Sequence, residues 1–253
     1  MLWLEAGLTR QAAEFWELAG RQGGLALDIV GAAMLALPLS VHLLPDLTVS
    51  SAQTRLRRYD ISLQLSNKDR RLRGCLIAYR GHGFVLLDGE DSPDEQRFTA
   101  AHEIAHFLVD YREPRIRAIE ALGEEILPVL DGERNPSQQE RLHAILSAVP
   151  LGLHVELFDR AEGRAGEYTS KATLDAEVRA DRLAIELLAP AEDVWAALLS
   201  LPGAEDLRYQ ALRSRATMLL KEQFGLPDGE ARGYASWLLK KAGIKPGFSE
   251  WMG

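Results

Sequence analysis

Apolar positions fall at helical spacing from the start of the chain: Leu4, Leu8, Ala12, Phe15, Trp16 and Leu18 recur across residues 3–20, and Gly20, Gly23 and Gly24 end the pattern. This predicts a first helix. The next segment, residues 25–44, is almost wholly apolar. Its uninterrupted part, Ile29 to Val41, is 13 residues long and contains Gly31 and Pro38, well short of the roughly 20 that a membrane-crossing helix needs. It reads as a second helix, buried in the core and ending near Pro38, with Pro45 opening a turn.

The period then shortens. CLIAYR (Cys75 to Arg80) and FVLLD (Phe84 to Asp88) are short β-forming runs separated by Gly81-His82-Gly83, which predicts a hairpin. Ser92-Pro93-Asp94-Glu95 follows, with a good N-cap, a proline suited to the first helical position and a glutamate that closes a capping box. The helix it starts should run to about Tyr111, where Glu113-Pro114 should break it. Residues 113–172 read as two or three further helices, 174–188 as a strong helix stopped by Ala189-Pro190, and 204–223 and 228–242 as a last pair joined by Phe224-Gly225-Leu226-Pro227. The expected fold class is therefore α+β and mostly helical, with a small sheet. The expected organisation is one domain over 1–200, with a helical insertion at about 113–172, and a C-terminal helical module over 201–253 packed on it.

Composition narrows the function classes. The net charge of -8 argues against wholesale binding of nucleic acid, which needs an excess of cations to displace counterions. The most basic stretch, residues 51–73, carries Arg55, Arg57, Arg58, Lys68, Arg70, Arg71 and Arg73, but no aromatic side chains are interleaved for base stacking, so it reads as a solvated face. One cysteine, Cys75, can form no internal disulfide and has no second thiol for a metal site. Nitrogen and oxygen are left as metal ligands. With no charged-then-apolar leader visible at the N-terminus, the expected location is cytoplasmic.

Chemistry enters at HEIAH, residues 102–106, inside the capped helix. His102 and His106 lie four apart and project from one helical face, a spacing that lets two imidazoles grip one zinc ion. Glu103 reaches beside the metal without ligating it. Zinc acidifies a bound water and an adjacent carboxylate takes its proton, which is why metalloproteases need this arrangement. Two histidines on an ordinary helix are more often surface or core residues, but H-E-x-x-H arises by chance only about 0.01 times in a chain of this composition.

Catalytic zinc takes three protein ligands and keeps one open position. The residues after His106, FLVDYREP, lack the glycine and third histidine of the H-E-x-x-H-x-x-G-x-x-H pattern, so the third ligand is sought on a second helix. Glu177 and Asp181 share a face of the 174–188 helix. Glu177 would complete a His2Glu site, and Asp181 would accept a hydrogen bond from the far nitrogen of a ligand histidine. Glu186, Asp175, Glu156 and Glu167 compete, and spacing alone does not choose among them.

RFTAAHEIAHFLVDY after a short hairpin, together with EVRADRLAIELLAP, resembles the ImmA/IrrE-type metallopeptidase family, whose second block reads E-x-x-A-(N/D)-x-F-A-x-E-L-L-x-P. Leu183 stands where that family usually has Phe. The resemblance implies a zincin-like core with a small sheet packed on the H-E-x-x-H helix and a C-terminal module like a helix-turn-helix. It assigns His102, His106 and Glu177 as ligands of one zinc ion, Glu103 as catalytic base, and Asp181 as support. It also implies a protein substrate, in some members a transcriptional repressor cleaved under stress. The expected activity is that of a zinc metalloendopeptidase, with substrate lying extended along the hairpin edge and an oxyanion donor among Tyr168, His154, His143 and Tyr111. The competing expectation is a DNA-binding or protein-binding regulator with a structural or vestigial metal site.

Overall fold

The computed structural model describes residues 6–20, 28–59, 68–160, 171–202 and 208–244. In chain order their elements begin with α1 (Ala6–Leu18), α2 (Ile29–Ala36), β1 (Leu39–Leu44), α3 (Val49–Arg57), β2 (Leu72–Tyr79), β3 (His82–Asp88) and α4 (Pro93–His106). A π-helical turn (Phe107–Arg112) leads into α5 (Glu113–Leu122), a 3-10 turn (Glu124–Ile126), α6 (Leu127–Leu130), α7 (Gln138–Leu146) and β4 (His154–Asp159). The chain continues through α8 (Lys171–Leu188), α9 (Ala191–Leu199), α10 (Tyr209–Glu222) and α11 (Asp228–Lys241). The fold is the mostly helical α+β arrangement expected. Contacts divide it into two compact units, residues 30–181 and residues 1–29 with 182–253, the division falling within α8.

In the first of these units the four strands form one sheet in the order β1-β3-β2-β4, with β1 parallel to β3 and the other pairs antiparallel. The hairpin is β2–β3, and its turn is tighter than Gly81-His82-Gly83 suggested. Arg80 and Gly81 adopt φ of 51° and 78°, the left-handed conformations of a two-residue hairpin turn, and His82 and Gly83 already belong to β3. Two strands escaped the sequence reading. β1 alternates over Leu39-Ser40-Val41-His42-Leu43, but this short stretch ends a longer apolar segment that reads as a single helix ending near Pro38. β4 lies in the stretch expected to be helical, and its single apolar face, Val155 and Leu157, is too short to announce itself. Both edges of the hairpin are consequently covered, and β1 and β4 end the sheet.

Each face of the sheet receives one helix. Val49, Ala52 and Leu56 of α3 pack with Leu72, Cys75, Ile77 and Leu86 in a cluster with every member at most 1% exposed. α3 starts from a reciprocal cap, Thr48 accepting from the Ser51 N–H at 3.2 Å while the Ser51 hydroxyl accepts from the Thr48 N–H at 2.8 Å. α4 covers the opposite face and opens as its sequence requires, with Glu95 accepting from the Ser92 N–H at 3.3 Å. Two glycines let it come close. A Cβ on Gly74 would lie 2.6 Å from both Glu103 and Thr99, and one on Gly83 would lie 2.8 Å from Phe107 and 2.5 Å from Leu39.

Glu113-Pro114 does not break the helix. Pro114 has no N–H to return to the Asp110 carbonyl, so regular α-helical bonding cannot pass through this turn, and the chain widens into a π-turn in which the Glu113 N–H reaches Leu108 O. Pro114 then occupies the first turn of α5, where no donor is required of it. The π-turn is tied to the hairpin by Tyr111, whose hydroxyl accepts from the Gly81 N–H at 2.7 Å.

In the second unit, α10 and α11 pack together through Leu212, Ala216, Leu219, Leu220, Ala231, Tyr234 and Leu238, all buried. Trp16 donates to Leu187 O at 3.1 Å and Tyr234 to Ala189 O at 3.1 Å, which ties α1 and α11 to the end of α8 and the residue after it. Among the described residues no helix is long and apolar enough to cross a membrane.

Candidate metal centre

α4 places His102, Glu103 and His106 where all three are at most 1% exposed. Burying three such groups together is costly unless something compensates their charge. The compensating geometry is shared with Glu177. The Nε2 atoms of His102 and His106 are 3.1 Å apart, and each is 3.5 Å from a carboxylate oxygen of Glu177 on α8. His102 Nε2 faces Glu177 Oε2 and His106 Nε2 faces Oε1, so the carboxylate spans the two imidazoles at spacings near the roughly 3.3–3.5 Å that separate the ligands of a tetrahedral zinc ion. Among the described residues, His102, His106 and Glu177 form the group that could hold a metal ion; Glu156, Asp175 and Glu186 are not part of it. Glu167 and Tyr168 lie outside the described residues.

The far nitrogens decide whether the group suits a metal. His102 Nδ1 is 3.1 Å from Asp181 Oδ1, and His106 Nδ1 is 2.7 Å from Asp110 Oδ2. An ionised carboxylate only accepts, so each Nδ1 carries the proton, and a neutral ring then presents its Nε2 lone pair to the other ring and to Glu177. Lone-pair atoms brought together with no proton between them repel one another until a cation joins them. The donor set therefore fits a divalent metal. Metal-free, the site seeks its positive charge from protons. Burial opposes charge on His106, yet hydrogen bonds to Asp110 and Glu177 and the field of Glu103 push its pKa up to about 10. Glu177 shifts the other way: burial would raise it, but both histidines hold its carboxyl far below the usual range.

Glu103 lies beside this group, fully buried, and among the described residues neither carboxylate oxygen has a hydrogen-bond partner. Its space is made by Gly74, where any side chain would collide with it. Burial is the main reason its pKa rises to about 7, with the two histidines pulling the other way. The His102 ring stacks on Phe158 of β4, with centroids 4.4 Å apart and planes 14° apart. Next to the site opens a cavity of about 500 Å³ whose walls include Val109, Pro114, Val149, Pro150, His154 and Glu156.

The structure thus places Glu177 and Asp181, of the acids the sequence offered, against the histidines of α4, with Glu103 beside them. It adds Asp110 and Arg179, which sequence reading missed: Arg179 binds Asp110 Oδ1, and Asp110 binds His106. The signal for Asp110 was its position four after His106, one helical turn away on the same face. Of the oxyanion candidates, Tyr111 spends its hydroxyl on Gly81, His154 lines the cavity, and His143 lies on α7. In the basic stretch Arg70 pairs with Asp159, Arg71 with Asp46 and Glu90, and Arg73 lies near Glu95.

Residues 49–146 match the Peptidase_M78 family model, described as the IrrE N-terminal-like domain. The match covers α3, the hairpin and the H-E-x-x-H helix and supports the resemblance read from the motifs, while α8, with Glu177, lies beyond it. No curated protein and no solved structure matches the chain.

Proposed function

We propose that this chain, which carries an IrrE N-terminal-like domain of a metallopeptidase family, is a zinc-dependent endopeptidase with Glu103 as its general base. The observation that carries the proposal is the grouping of His102 Nε2, His106 Nε2 and the Glu177 carboxylate, with both Nδ1 atoms taken by carboxylates, so that both Nε2 lone pairs are left for a metal ion. A zinc ion bound there would supply a Lewis acid that polarises the scissile carbonyl and acidifies the attacking water. Glu103, buried beside the histidines with neither oxygen hydrogen-bonded among the described residues, would accept a proton from the attacking water and return it to the departing amine nitrogen. Gly74 keeps the space in which its carboxylate can do so. His102 is held in plane by Phe158 and its proton by Asp181.

The substrate is a protein, and a regulatory protein such as a transcriptional repressor is the class that the family resemblance suggests. Since both hairpin edges are covered, an extended segment would add to the outer edge of β4, the strand that carries Phe158 and Glu156 beside the centre. A side chain next to the scissile bond would then enter the neighbouring cavity. The competing reading, a DNA-binding regulator built on α10 and α11, draws less support, because Lys221 and Arg232 both turn to Asp228.

Metal analysis and cleavage assays test the proposal. Purified protein should hold about one zinc ion per chain and cleave co-encoded repressors or an unfolded protein. Glu103→Gln should keep the metal while cleavage falls by roughly 10²–10⁴-fold. Wild type that binds no zinc, or a Glu103→Gln variant that cleaves at full rate, overturns it.

A further inference from the structure

The two imidazoles of the centre are held differently. His102 is clamped from both sides, by stacking on Phe158 and by the hydrogen bond to Asp181. Among the described residues His106 meets one aromatic neighbour, the edge of His102 itself, with ring planes 74° apart. His106 is as buried as His102 but has no ring stacked on it among the described residues, and burial alone does not choose which nitrogen keeps the proton; its hydrogen bond does, and that bond is the shorter of the two, 2.7 Å to Asp110 against 3.1 Å to Asp181. Asp110 is in turn fixed at its other oxygen by Arg179.

We infer that Asp110 and Arg179 are positioning residues for the metal ligand His106: Asp110 fixes its tautomer and ring plane, and Arg179 fixes Asp110. This rests on the metal-dependent reading above. The physical need is specific. For Nε2 to offer its lone pair, the ring proton must stay on Nδ1, and a carboxylate facing Nδ1 enforces that choice because it can only accept. A carboxylate left to rotate would enforce it poorly, and Asp110 sits in a π-turn whose backbone lacks regular α-helical bonding. Arg179 supplies what that turn lacks. It also makes α8 the common anchor of the centre. Glu177 meets both Nε2 atoms directly, Asp181 holds His102, and Arg179, between them in sequence, reaches His106 through Asp110.

Zinc affinity is the direct readout, measured by competition with a chelator on the full chain and joined to the visible absorption of the cobalt-substituted protein. Asp110→Ala should weaken zinc binding by about 10–100-fold. Asp110→Asn, which keeps an accepting oxygen, should recover most of that loss. Arg179→Ala should fall between wild type and Asp110→Ala, with Arg179→Lys nearer wild type, and the cobalt spectra should shift in the same order. A purely structural role would instead lower the melting temperature of the metal-free protein and leave the affinity of the folded fraction unchanged. Zinc binding by folded Asp110→Ala within about twofold of wild type, against the 10–100-fold expected, overturns the inference. If that variant does not fold, unchanged affinity and spectrum in Arg179→Ala do the same. Wild type that binds no zinc overturns the metal reading and this inference together; wild type that binds zinc with unaffected variants overturns the inference alone.

Discussion

The two faces of the central sheet are buried equally and built oppositely. Under α3 the sheet offers Leu72, Cys75, Ile77 and Leu86 to an apolar cluster with nothing to satisfy but shape. Under α4 it offers Gly74, Leu76 and Val85, and the groups brought down against it are Thr99, His102, Glu103 and His106, each at most 1% exposed. Burial of apolar surface stabilises at about 25 cal/mol per Å², whereas a buried carboxylate without partners costs free energy. One face therefore holds the unit together and the other draws on that stability to keep a carboxylate buried. Local rules broken at one place and kept everywhere around it mark a functional site.

The sharpest way to break this contrast is Glu103→Gln, since it removes the charge that the α4 face tolerates. Besides the loss of cleavage, the metal-free variant should be more stable than wild type at neutral pH. Folding raises the Glu103 pKa from about 4.5 to about 7, so the folded state binds more protons than the unfolded one within that window. Stability then falls as pH rises through it. Thermal melts from pH 4 to 8 should show wild type losing ground to Glu103→Gln over that window, and parallel curves would contradict the assignment.

The opposite face should respond in the opposite sense. Ile77, fully buried in the α3 cluster, leaves a cavity when cut back, and Ile77→Ala should cost about 2–5 kcal/mol in chemical denaturation. The folded fraction should still bind zinc with wild-type affinity. Gly74→Ala, three residues away on β2 and facing α4, should do the reverse. Its Cβ would press on Glu103 Oε1 and Thr99 Cγ2 at 2.6 Å, and a misplaced general base loses on the order of 10²-fold in rate while the overpacking costs about 1–3 kcal/mol. Comparable rate losses in the two variants would mean that the faces are not specialised.

Legibility in the sequence follows the same division. His102, Glu103 and His106 could be read because their spacing is local, set by one helix turn, and the cap at Ser92 shows where that helix starts. Spacing could nominate Glu177 and Asp181 but only the resemblance of the second motif chose them, because their approach to α4 is a tertiary fact that no spacing contains. Asp110 was passed over for a different reason. The helix expected to run to about Tyr111 already places it one turn from His106, but an acid four residues after a histidine is common on helices, and only the structure shows that the two side chains meet. β1 was missed because its few alternating residues end a longer apolar segment, and β4 because it is short and mostly polar on the face that Phe158 and Glu156 share.

The smallest expected effect concerns whether every buried polar group under α4 serves the chemistry. Tyr111 is 1% exposed and was a candidate donor to the oxyanion, yet its hydroxyl accepts from the Gly81 N–H at the hairpin turn. Its contact is therefore one of fold, joining the π-turn to β2–β3. Tyr111→Phe keeps the ring packed on Phe107, 5.5 Å between centroids, and removes only the acceptor. The cost should be about 0.5–1.5 kcal/mol, at the low end if water reaches Gly81 N, with kcat and zinc affinity unchanged. A fall in kcat of more than about tenfold, some 1.4 kcal/mol at the barrier, without loss of metal would instead place the Tyr111 hydroxyl at the reacting carbonyl and require the Gly81 contact to open during turnover.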